Sequence, residues 1–169
     1  MKKLISIIGS DDSDKNLSTY ALETAEEIGG LIAQKNGILI CGGGGGVMEA
    51  ACKGAKEKNG ITVGILPKSK EEVNKYVDIP IISGLGNRRN SIIVYTSDVI
   101  IAIAGRWGTL NEISYSMIYN KPLILIKGTG GIVDQICNKE LEKINDSKNY
   151  YFVNSATEAI EKAIKLIEN

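Results

Sequence analysis

Short, uninterrupted apolar runs alternate along this chain with longer stretches whose apolar positions recur every three or four residues. Leu4–Ile8 is the first run, and its lack of polar alternation predicts a strand covered on both faces. Leu17, Tyr20, Ala21, Ile28, Leu31 and Ile32 then fall close to helical spacing. Gly37–Cys41 predicts a second strand that runs directly into five glycines. Val47–Lys58 reads as a helix, Ile61–Leu66 as a third strand and Asp78–Ile82 as a fourth. Asn90–Ser97 is helical in pattern, and Val99–Ile103 is the most hydrophobic strand. A second glycine-containing turn leads to a helix near Thr109–Tyr119. Pro122–Ile126 and the short Tyr150–Val153 are further strands. The last helix, near Ala156–Ile167, opens with Ser155-x-x-Glu158, the spacing of a capping box. Polar Lys68–Lys75 reads as a surface loop or a short helix.

Strands that alternate with helices imply βαβ units with right-handed crossovers and hence a parallel sheet. The expected class is therefore α/β, a Rossmann-like three-layer αβα sandwich with a mainly parallel sheet. No linker, internal repeat or low-complexity tail divides the chain, so residues 1–169 are expected to form one domain.

Composition narrows the function more than the fold. Twenty basic residues balance twenty acidic ones, and apart from Lys2-Lys3 and Arg88-Arg89 the cations are scattered. Neither nucleic acid nor an anionic membrane surface is an expected partner. The apolar start at Leu4–Ile8 is shorter than the roughly 7–15 residues of a secretory core, and no stretch approaches the ~20 residues of a membrane span. Cys41, Cys52 and Cys137 are odd in number and widely spaced, which suggests buried thiols in a reducing compartment and a cytoplasmic protein. The chain has no histidine. That excludes Ser-His-Asp and Cys-His nucleophiles and most zinc enzymes, and leaves acid–base work to Asp, Glu, Lys, Tyr or Cys.

In an open parallel sheet, ligands bind beyond the carboxyl ends of the strands. Three predicted strand ends carry unusual residues: Gly9-Ser10-Asp11-Asp12-Ser13-Asp14, Gly42–Gly46 and Gly105-Arg106-Trp107-Gly108-Thr109. The last two are strand–glycine-turn–helix transitions, whose backbone N–H groups suit an anion. Gly42–Gly46 is out of register for G-x-G-x-x-G and lacks a G-K-[ST] ending, so neither a dinucleotide fingerprint nor a P-loop is present. Thr109 and Glu112 have capping-box spacing; alternatively Gly108 and Thr109 donate to a phosphate while Glu112 faces the ligand one turn in. Asp11, Asp12 and Asp14 read as turn and N-cap residues rather than as a magnesium site, and no metal is expected.

These segments resemble a known family. Gly42-Gly43-Gly44-Gly45-Gly46-Val47-Met48-Glu49 is similar to the GGGxxGLM turn of the LOG (Lonely-guy) phosphoribohydrolases, a family that also carries the label lysine decarboxylase-like. Ala104–Glu112 resembles its PGGxGTxxE signature, and Gly9-Ser10 its first strand end. The resemblance runs from about Leu4 to Ile126. It implies a catalytic pair, Arg89 and Glu112, and a phosphate and nucleotide site at Gly9, Ser10, Gly42, Gly43, Gly44, Gly45, Gly46, Met48, Gly105, Gly108 and Thr109. Three further candidates keep two readings each: Arg88 contacts the phosphate or faces solvent, Arg106 adds a charge to the phosphate site or fills space a nucleotide needs, and Trp107 roofs the ligand or packs on a neighbouring helix or subunit. The implied reaction is cleavage of a nucleoside 5′-monophosphate to free base and ribose 5-phosphate. Glu112 would stabilise oxocarbenium charge, and no cofactor would be required. True lysine decarboxylation is not expected, because no lysine marks a pyridoxal site.

Ala104, Arg106 and Asn90 depart from that pattern, replacing its Pro, its second Gly and the Lys after the catalytic Arg. Gly84–Asn90 looks more like the branch that includes molybdenum cofactor carrier proteins. Two functional readings therefore stand: a phosphoribohydrolase, and a non-catalytic carrier or sensor of a phosphorylated ligand such as molybdenum cofactor. The resemblance also implies a homodimer or larger assembly. Ile113–Tyr119 is apolar enough to serve it, and Tyr95, Tyr115, Ile118 and Tyr119 read as core or dimer surface.

Overall fold

A computed structural model describes residues 2–137 and 149–168. Its strands are β1 (Leu4–Gly9), β2 (Ile38–Cys41), β3 (Ile61–Leu66), β4 (Ile79–Ile82), β5 (Val99–Ile103), β6 (Leu123–Ile126) and β7 (Tyr150–Val153). They form one sheet in the order β4-β3-β2-β1-β5-β6-β7, and every neighbouring pair is parallel. The helices are α1 (Thr19–Gln34), α2 (Val47–Glu57), α3 (Asn90–Thr96), α4 (Trp107–Ile118), α5 (Gly131–Cys137) and α6 (Ala156–Glu168). Single 3₁₀ turns occupy Lys70–Glu72 and Gly86–Arg89.

The unbroken apolar runs are explained by burial on both sides. Along β5 all five residues are buried, and odd and even positions enter different cores. Val99, Ile101 and Ile103 pack with α1, α2 and α6, whereas Ile100 and Ala102 pack with α3, α4 and α5. β1 divides in the same way: Ile5 and Ile7 face the first core and Ile8 the second. Each isoleucine removed completely from water contributes about 1.5–3 kcal/mol, so these central strands anchor the sandwich. Ser6, on the Ile8 side, is tolerated because its hydroxyl bonds Ser97 and the Ile93 carbonyl.

Most boundaries fall within two residues of the sequence expectation. Two differences have clear causes. The N-cap of α1 is Ser18, whose side chain accepts from the Ala21 N–H at 3.1 Å. Asp11 and Asp14 instead accept from the Ser13 and Asn16 N–H groups two residues on, as turn residues do. The second difference is α5, which the apolar pattern does not announce. Its start is fixed from outside by the turn after β5, where the carbonyls of Gly105 and Ala104 accept from the Ile132 and Val133 N–H groups.

The strand order reverses between β1 and β5, where one crossover runs toward β4 and the next toward β7. A crevice opens at such a switch point because the flanking loops diverge.

Candidate functional site

A cleft of about 630 Å³ occupies this crevice. Ile7, Ile8, Gly9, Ser10 and Asp11 line it from β1, and Gly42 and Met48 from the turn after β2 and the start of α2. Asn87, Arg88, Arg89 and Asn90 enter from the 3₁₀ turn and α3. Arg106, Trp107, Gly108, Thr109, Asn111, Glu112 and Tyr115 enter from α4 and the turn before it. A neighbouring basin of about 470 Å³ is lined by Gly44, Gly45, Asp12, Glu72 and Pro67 among others, and shares Asp11, Gly42, Met48 and Arg89 with the cleft.

Three expected site residues line neither space. Gly43 is packed so that a Cβ would meet Leu66 at 2.6 Å, and at Gly46 a Cβ would lie 2.5 Å from the Ser10 carbonyl oxygen. Gly105 has φ +97 and lies beneath the Thr109 side chain, 2.5 Å from a built Cβ. All three are packed into the walls around these spaces.

Glu112 is buried, with 7% of its surface exposed, and lines the cleft. Burial pushes its carboxyl up to about 8, with the nearby Arg89 charge pulling the other way. Among the described residues no donor bonds this carboxyl, and Arg89 bonds elsewhere: its Nη1 donates to Asn90 Oδ1 at 2.6 Å. The Arg89 Nε is buried without a partner among the described residues. Arg89 also lies across Gly42, where a Cβ would come within 2.9 Å of its Nη2.

The expectation that Thr109 caps α4 with Glu112 as its reciprocal partner is not met. The N-cap is Arg106, without a side-chain cap bond, and Thr109 lies inside the first turn. Ser10 is a bridge: its hydroxyl accepts from the Gly105 N–H at 2.9 Å and donates to Asp14 at 2.5 Å. That bond holds the Asp14 carboxyl below its ordinary value. Arg106 reaches across the mouth, its Nη2 donating to Ser13 Oγ at 2.5 Å and to Asp11 Oδ1 at 3.2 Å. Half of its side chain remains exposed. Trp107 is 83% exposed at the rim.

Ala104 has φ +52, and its N–H donates to Thr129 Oγ1 at 2.9 Å. Proline satisfies neither condition, since its ring locks φ near −65° and it has no N–H. This turn therefore follows a path that a signature proline could not adopt.

Of the tyrosines near α4, Tyr95 and Tyr119 are exposed, whereas Tyr115 packs against the second core. Tyr95 and Ile118 are 68% and 72% exposed, and Tyr119 contacts both Tyr95 and Tyr115. Cys41 and Cys52 are buried with their sulfurs 3.6 Å apart. Sequence reasoning left Asn87 and Asn111 out of the site, and noted Asn90 only as a departure from the family pattern. Polar residues at a helix start carry no signal of their own, and what places these is the packing of α3 on α4. Among the described residues no group of His, Cys, Asp and Glu side chains is placed to hold a metal ion. No described helix is long and apolar enough to cross a membrane.

Comparison with known proteins places this architecture. The molybdenum cofactor binding protein of Rippkaea orientalis is 35% identical with a TM-score of 0.87, over 100% of this chain and 99% of that one. The molybdenum cofactor carrier protein of Chlamydomonas reinhardtii is 32% identical with a TM-score of 0.86, over 99% of this chain and 100% of that one. The cytokinin riboside 5′-monophosphate phosphoribohydrolase of Mycobacterium tuberculosis is 31% identical over 119 residues, 64% of each chain. The SLOG cluster4 family profile matches residues 2–160, and the chain belongs to that family.

Proposed function

We propose that the cleft holds a phosphorylated, nucleotide-type small molecule without hydrolysing it, as a carrier or sensor. The ligand's phosphate would face the first turn of α4, where helix N–H groups and the cleft-lining Arg88, Arg89 and Arg106 favour an anion. The observation that carries the non-hydrolytic reading is the burial of Glu112 with no donor to its carboxyl among the described residues, Arg89 Nη1 bonding Asn90 Oδ1 at 2.6 Å instead. N-glycosidic cleavage develops positive charge on the ribose, which an ionised carboxylate stabilises. With its carboxyl raised to about 8, Glu112 is mainly neutral at pH 7, and a phosphate dianion nearby raises it further. Asp11, the other acid of this cleft, is tied to Arg106. Molybdenum cofactor, the ligand named for the Rippkaea and Chlamydomonas relatives, is the cargo this reading favours.

A hydrolase reading keeps one specific support, since Arg89 and Glu112 line the same cleft. Purified protein incubated with nucleoside monophosphates, AMP included, separates the two. The carrier reading expects the ligands or molybdenum cofactor to raise the melting temperature with no free base on chromatography. Base release that collapses in Glu112→Gln would establish the hydrolase instead.

The exposed apolar side chains of Tyr95, Ile118 and Tyr119 support assembly through α3 and α4 as a homodimer. A monomer by light scattering at working concentration would refute this.

A further inference from the structure

We infer that Asn90 is a positioning residue that orients the Asn111 side-chain amide as a hydrogen-bond donor to the ligand. The inference rests on the reading of the cleft as a phosphate-ligand site. It follows from the hydrogen-bonding capacity of each group rather than from the assignment of amide oxygen and nitrogen alone.

Arg89 can only donate, so the Asn90 atom that meets its Nη1 at 2.6 Å must be the oxygen. The other end of Asn90 meets the Gly108 carbonyl at 3.4 Å, which can only accept, and is therefore the NH₂ group. That NH₂ also donates to Asn111 at 3.0 Å, so Asn111 must present its oxygen to Asn90. Both N–H donors of Asn111 are thereby directed away from Asn90, on a residue that is exposed and lines the cleft. A donor-only residue at one end fixes a donor at the other.

Asn90 suits this role because it has no freedom of its own. It is 5% exposed and stands at the start of α3, beside the first turn of α4. One amide therefore couples the Arg89 guanidinium to the α4 turn and sets the polarity of Asn111. A lysine at position 90 could only donate, and would repel Arg89 instead of accepting from it. The cleft consequently selects a ligand with an acceptor oxygen or nitrogen opposite Asn111.

The test is a double-mutant cycle read by calorimetric titration with 5′-AMP and with inorganic phosphate. Asn90→Asp keeps an acceptor for Arg89 but loses the donor, so Asn111 turns its NH₂ inward and withdraws it from the ligand. Asn111→Ala removes the same donor directly. Each change is expected to weaken AMP binding about tenfold, and the two together by no more than either alone. Asn111→Asp keeps the oxygen that accepts from Asn90 and so preserves the local fold. It places a carboxylate in the cleft, and is expected to weaken binding by more than tenfold with little change in melting temperature. A loss shared by inorganic phosphate puts the acceptor on the phosphate, and a loss seen only with AMP puts it on the base or ribose. Wild-type binding of AMP retained by Asn111→Asp, or losses that multiply in the double variant, would overturn the inference alone. A wild-type protein that binds neither probe would overturn the phosphate-ligand reading and this inference with it.

Discussion

The two glycine turns of this protein look alike in sequence and differ in what their glycines do. The turn after β2 carries five in succession, and two of them, Gly43 and Gly46, are sealed against the protein while Gly42, Gly44 and Gly45 line open space. Gly43 donates its N–H to Cys41 Sγ, and the Gly43 and Gly44 carbonyls accept from the side chain of the buried Asn74 at 3.1 and 2.9 Å. Gly46 has φ +63 and fits against the Ser10–Asp11 backbone, and the Asp12 carboxyl rests on Gly45. The turn after β5 has fewer glycines and is open. Gly105 is locked under Thr109, but a Cβ on Gly108 would meet nothing within 4 Å, and Trp107 beside it is exposed. A run of glycines thus reports close approach of some backbone or side chain, and only the surroundings tell whether the neighbour is the protein or a ligand.

If Gly43 and Gly46 are sealed by the protein, they resist substitution for reasons of stability. Gly46→Ala places a methyl 2.5 Å from the Ser10 carbonyl oxygen at a left-handed φ. Backbone clash and strain together are expected to destabilise the fold by more than about 3 kcal/mol, read from denaturant midpoints. An unchanged midpoint would mean the turn is looser than described.

Asn74→Ala probes the same seal through hydrogen bonds. Asn74 is 8% exposed, and truncating its side chain removes the donor to the Gly44 carbonyl and the acceptor of the Tyr76 N–H, while the Gly43 carbonyl keeps the Asn74 backbone N–H at 2.8 Å. A loss of about 2 kcal/mol is expected in chemical denaturation. A loss under about 0.5 kcal/mol would show that water replaces the amide readily and that this turn is also open.

The open turn carries its own signature in Glu112. Because its folded pKa is raised from 4.5 to about 8, the folded chain holds one more proton than the unfolded chain between those values. Stability should therefore fall as pH rises through that window, by up to about 1.4 kcal/mol per pH unit. Glu112→Gln, neutral throughout, should lose this dependence and be the more stable protein near pH 8. Parallel pH profiles for the two proteins would show that Glu112 is solvated or partnered after all.

Much of this was legible beforehand, and the exceptions share a cause. β1 and β5 were readable because burial on both faces leaves an uninterrupted apolar run, a local signal. Arg89 and Glu112 were paired by resemblance alone, and they line one cleft. The seal on Gly43 was not legible, because Asn74 lies some thirty positions away and only the packing of the loop before β4 brings it in. Nor was the N-cap position of Arg106, since Thr109 and Glu112 mimic a capping box three positions too late. The asparagine relay also depends on helix starts that no local pattern joins.

The smallest expected change in stability gives the sharpest test of the comparison. Gly108 stands in the first turn of α4 with an ordinary φ and free space where a side chain would begin. Alanine is the better helix former by up to about 1 kcal/mol in a helix interior, so Gly108→Ala should leave the midpoint unchanged or raise it slightly. The added methyl would occupy cleft space beside the N–H groups proposed to meet the phosphate. Binding of a phosphorylated ligand should weaken at least about tenfold, although the protein is no less stable. Stability and binding would then part at Gly108, whereas at Gly46 they fall together because the walls themselves fail. Unaltered affinity in Gly108→Ala would place the phosphate away from this turn and move attention to the basin beside Gly44 and Gly45.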